Sequence, residues 1–67
     1  MKTIYDIQQF LKSYGTIIYT GNRIGDLELM REELSELHRS NLIEQSVFDV
    51  AVYLLDREII LEQEKKG

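Results

Sequence analysis

A chain of 67 residues has room for one domain. At that size only about 60% of the unfolded surface is buried on folding, so well-packed helices or self-association must supply the stability. Cysteine is absent, which excludes disulfide staples and thiolate metal sites, while 43% hydrophobic and 30% charged residues describe a folded soluble chain rather than a disordered one.

The net charge of −4 argues against indiscriminate binding to phosphate backbones, but it is unevenly spread. Residues 1–25 carry Lys2, Lys12 and Arg23 against Asp6, a balance of +2, whereas residues 26–67 carry five basic residues against eleven acids, a balance of −6. Tyr5, Tyr14 and Tyr19 also fall in the mildly basic part. A surface for an anionic partner is therefore expected in the first third.

Thr3 is a good N-cap, and Asp6 places a carboxylate in the first turn, where it suits the helix dipole. Ile4, Ile7, Phe10 or Leu11, and Tyr14 recur at spacings of three and four and make one apolar stripe. Lys12 puts a cation in the last turn, and Gly15 supplies the left-handed residue that ends many helices. The spacing predicts a first helix over about 4–14.

Thr16-Ile17-Ile18-Tyr19-Thr20 is β-branched and aromatic, a composition suited to extended backbone, yet no second strand is available to pair with it. It reads as an ordered connector over 15–22 whose isoleucines plug into a helical core. Gly21-Asn22 is a turn signal, and Asn22 can cap a helix starting just after it. A second helix is predicted over 23–39, with Gly25-Asp26 as a competing start. Leu27, Met30, Leu34 and Leu37 form its stripe, and Glu28, Glu32, Glu33 and Glu36 its solvated face.

Ser40-Asn41 closes that helix, with Asn41 as the left-handed residue and Leu42-Ile43 folding back. A third helix is predicted over about 45–63, with Phe48, Ala51 or Val52, Leu55 and Ile59 in its stripe. Val47, Val50, Leu54 and Leu61 widen that stripe beyond what two partner helices cover. They are a candidate interaction face for a second copy or another protein. Lys65-Lys66-Gly67 reads as a frayed tail. Proline is absent and no repeat or linker interrupts the chain. The fold class is all-α, a compact three-helix bundle in up-down-up order.

Asp6 sits where a signal peptide would need an apolar core, and the runs Val50 to Leu55 and Ile59 to Leu61 are too short to span a bilayer. A cytoplasmic setting without a membrane partner is expected. No catalytic constellation is legible, so neither enzymatic activity, nor a cofactor, nor a metal is expected. His38 is the single histidine and reads as a surface residue in a last helical turn. The glutamates lack the facing acidic helices of a di-metal site, and Ser13, Ser35, Ser40 and Ser46 have no base spaced to serve them. Gly15, Gly21 and Gly25 lack the lysine and preceding strand of a phosphate-binding loop.

The connector and its flanks concentrate a different chemistry. Lys12, Tyr14, Tyr19, Thr20, Asn22 and Arg23 offer two phenol rings, two cations and short polar donors. Single-stranded nucleic acid is held by this mixture, with bases on rings and cations on phosphates. A purely structural reading competes, in which Tyr14 and Tyr19 are half-buried and Arg23 pairs with an acid of a later helix.

The run Y-D-I-Q-Q-F-L-K-S-Y-G-T-I-I-Y-T-G-N-R, followed by D-L-E-L-M and then L-I-E-Q-S-V-F, resembles the YqgQ-like family of short bacterial proteins over nearly the whole chain. The resemblance implies a three-helix bundle, a cytoplasmic setting and a suggested role in binding single-stranded nucleic acid. Its matching positions are Lys12, Tyr14, Thr20, Gly21, Asn22 and Arg23. Gly25 departs from the family's pattern, where a better helix former is expected, and bears on where the second helix starts.

Overall fold

The apolar stripes pack together as three helices, α1 (Ile4–Ser13), α2 (Arg23–Arg39) and α3 (Gln45–Lys66). The computed structural model describes residues 1–66, and no strand occurs among them. Both ends of α1 and of α2 have a local cause. At the start of α1, Thr3 Oγ1 accepts from the Asp6 N–H at 3.2 Å, and the Asp6 carboxylate accepts from the Thr3 N–H at 3.1 Å. This reciprocal box satisfies donors that a helix start otherwise leaves orphaned.

α1 ends at Ser13, one residue before the predicted limit, with Tyr14 as its C-cap. Gly15 adopts φ +86°, and the N–H groups of Gly15 and Thr16 donate to Lys12 and Leu11 carbonyls at 2.9 and 3.0 Å. α2 ends with the same device: Asn41 takes φ 59°, and the N–H groups of Asn41 and Leu42 reach His38 and Leu37 carbonyls at 3.0 Å. Both are Schellman motifs, in which a left-handed residue lets the chain turn back and satisfy the last carbonyls.

The competing starts for α2 resolve to Arg23, because the Asn22 side chain caps it: Oδ1 accepts the Gly25 N–H at 2.8 Å. Gly25 fits the same arrangement, since a Cβ there would meet Asn22 Oδ1 at 3.3 Å. α3 runs to Lys66, past the predicted end at 63, and at about 1.5 Å per residue it sets the 37 Å long axis of the molecule. Of the predicted frayed tail, Lys65 and Lys66 are helical, and Gly67 lies outside the described residues.

α2 and α3 form the most extensive packing, and α1 contacts both. The core is Ile7 and Leu11 from α1, Leu27, Met30 and Leu34 from α2, and Ala51 and Leu55 from α3. Phe48 and Ile59 lie against it half-buried, as the stripe of α3 requires. The connector departs from expectation in one respect. Only Ile18 plugs the core, whereas Ile17 is 77% exposed. Burial alternates along residues 16–19, so neighbouring side chains face opposite ways and one isoleucine must point outward. Among the described residues, no helix is long and apolar enough to cross a membrane.

Candidate nucleic-acid interface

The connector is pinned at its far end by Asp26, the one buried acid among the described residues. Its carboxylate accepts from the Thr20 hydroxyl and from the Thr20 N–H, the latter at 2.9 Å. The Thr20 hydroxyl bond, followed by backbone donors at Thr20 and Gly21, holds the Asp26 carboxyl below its ordinary value. The anchor fixes where Tyr19 leaves the chain.

The six candidate residues do not form one surface. Thr20 is bound to Asp26, and Asn22 has its amide oxygen committed to the α2 cap. Arg23 turns toward α3, with Glu58 at 3.6 Å and Glu62 at 4.0 Å, as the structural reading anticipates. Tyr14 lies elsewhere, its ring 5.2 Å from that of Phe10 and its hydroxyl donating to the Leu42 carbonyl at 3.3 Å. The competing structural reading takes both tyrosines as half-buried; Tyr19 departs from it at 85% exposed, and Tyr14 is 43% exposed.

Lys12 and Tyr19 remain, and the fold brings them together. They line a groove of about 240 Å³ between the outer face of α1 and the connector. Leu11, Ile18 and Met30 also line it, as do Gln8, Gln9, Thr16 and the outward-facing Ile17. Lys12 is the only charged residue among them. Sequence reasoning missed Gln8, Gln9, Thr16 and Ile17. A signal existed for the first two: Gln8 and Gln9 lie four and three residues before Lys12, on one helix face. The groove therefore combines amides, one cation, an apolar floor and one exposed phenol ring.

The candidate interaction face on α3 is divided. Val47 and Leu54 are partly buried, Leu54 against the core, while Val50 and Leu61 are 45% and 40% exposed. Two more exposed residues belong with them, Tyr53 at 65% and Ile60 at 54%. Neither was singled out, because stripe counting seeks the core-facing period and these lie on the opposite side. His38 is more than a surface residue. Its ring stacks on Phe48 at 4.3 Å, and Nε2 lies 2.8 Å from Gln45 Oε1.

These features define a short all-α protein with a small amphipathic groove and several exposed apolar residues on the outer side of α3. Residues 1–66 match the YqgQ-like family model, and the chain belongs to that family. It is similar to the uncharacterized protein YqgQ of Bacillus subtilis (strain 168), with 43% identity over 67 residues, covering all of this chain and 92% of that protein.

Proposed function

We propose that this chain is a small helical binding module that holds a short single-stranded nucleic acid in the groove between α1 and the connector. One observation carries the reading: Tyr19, 85% exposed, lines the same groove as Lys12. A base stacks on the phenol ring, the adjacent phosphate meets the ammonium, and the amides of Gln8 and Gln9 offer hydrogen bonds to base edges. Lys12 is the only charged residue lining the groove, so its local charge favours an anion.

One stacking platform contributes about 1–3 kcal/mol, and one phosphate contact gives a salt slope near −0.7 for a single strand. Binding is therefore weak and only mildly salt-dependent. Fluorescence anisotropy with short labelled RNA and DNA strands, at low and moderate salt, tests it. Tyr19→Ala is expected to weaken binding about five- to hundredfold, matching that stacking range. Lys12→Ala flattens the salt dependence. Absence of binding at about 100 μM, or affinity unchanged in both variants, refutes the proposal.

A further inference from the structure

The side of α3 turned away from the bundle has a period of its own. Ser46, Val50, Tyr53, Arg57, Ile60 and Glu64 recur at alternating spacings of four and three and make a seam along one helix face, with Val50, Tyr53 and Ile60 as its apolar members, and all six are exposed. On the helical wheel this seam lies opposite Leu55, which is fully buried, so neither α1 nor α2 covers it. A shallow, mainly apolar depression lined by Tyr53, Asp56, Arg57, Ile60 and Leu61 lies on it.

We infer that this seam is an antiparallel interface with a second copy of the chain, with the two-fold axis at the level of Leu55. The six positions are symmetric about residue 55. Reversing one helix against the other therefore pairs position 46 with 64, 50 with 60 and 53 with 57, each pair occurring twice. Val50 meets Ile60 of the second copy, and the Tyr53 ring meets its Arg57 guanidinium, a cation over an aromatic face. Ser46 meets Glu64, so no like charges oppose each other along the seam.

Two alternative arrangements are worse. Centring on residue 57 places Arg57 on its own copy and Val50 against Glu64, and a parallel pairing opposes both Arg57 and Glu64 to themselves. Asp56 flanks the seam and approaches its copy, but Arg31 at 3.3 Å offsets its charge. The interface uses none of the groove residues and stands whether or not the groove binds nucleic acid.

Sedimentation equilibrium up to about 1 mM tests for the dimer, since a seam of this length falls in the small, weak class of interfaces. The absence of native cysteine lets introduced thiols report the register. In the proposed pairing, position 50 lies beside position 60 of the copy but about 15 Å along the axis from its own copy, beyond the ~7 Å a disulfide spans. Mild oxidation of a Val50→Cys chain mixed with an Ile60→Cys chain is expected to give the mixed disulfide, and either alone little. Tyr53→Arg is expected to weaken the dimer about tenfold, and adding Arg57→Tyr to restore it, because the swap preserves the symmetric pair. A monomer throughout, a disulfide formed equally by Val50→Cys alone, or no restoration by the swap overturns the inference. These positions are exposed, and circular dichroism of each variant checks that it remains folded.

Discussion

Asn22 is the residue at which a structural and a binding role separate most cleanly. It has the extended backbone of an N-cap, φ −102° and ψ 110°, and its Oδ1 accepts the Gly25 N–H at 2.8 Å. Asn22→Ala removes that acceptor from the first turn of a helix contributing Leu27, Met30 and Leu34 to the core. Loss of such a cap costs about 1 kcal/mol, within a range of about 0.5–2. In a domain of this size, about 1 kcal/mol lowers Tm by roughly 4–8 °C. Asn22→Ser retains an acceptor and is expected to lie within about 1 kcal/mol of the native protein, nearer to it than the alanine variant. Thermal melts by circular dichroism at neutral pH measure both. Asn22 does not line the groove, so at a temperature where both variants are folded their oligonucleotide affinities should match the native one. An unchanged Tm for Asn22→Ala, or an equal loss for Asn22→Ser, refutes the capping argument. A loss of affinity with Tm preserved refutes the separation of roles.

Asp26 makes stability pH-dependent in a definite direction. Because its folded pKa lies below the ordinary 3.8, its contribution is complete above that value and is lost as pH falls through the folded one. Urea midpoints between about pH 5 and pH 2.5 should therefore fall less steeply in Asp26→Asn than in the native protein. Gly15→Ala tests the turn after α1: nothing lies within 4 Å of the added Cβ, so the cost is backbone strain at φ +86°, about 1–2 kcal/mol, read from a denaturant titration. Arg23→Ala should change stability by less than about 1 kcal/mol, since its pairing distances to Glu58 and Glu62 are 3.6 and 4.0 Å and the groups are partly solvated. A larger loss in the same titration would show that this pairing anchors the start of α2 to α3.

The helix ends and the core were legible because their causes are local. Thr3 and Asp6 bond across three residues, as do Asn22 and Gly25, and the turns at Gly15 and Asn41 close within five. Ile7, Leu27, Met30, Leu34 and Leu55 announce their burial by helical period alone. Such interactions reach no farther than the chain segment that encodes them, so residue type and spacing suffice.

The candidate site was legible only as a composition. Lys12, Tyr14, Tyr19, Thr20, Asn22 and Arg23 are close in sequence, but their side chains are committed to different partners, near for Thr20 and Asn22 and far along the chain for Tyr14 and Arg23. Arg23 is drawn to Glu58 and Glu62, Tyr14 reaches the Leu42 carbonyl, and Thr20 is held by Asp26. Ile17 faces outward because Ile18 takes the core position, and the sequence Ile17-Ile18 does not say which of the two does so. The Lys12–Tyr19 groove exists because the connector folds back over α1 and Met30 of α2. By itself the sequence determined three helices, their caps and their buried stripes. The tertiary structure decided which polar and aromatic side chains were consumed by long-range partners and which stayed free, because those competing contacts arise only once the helices have packed.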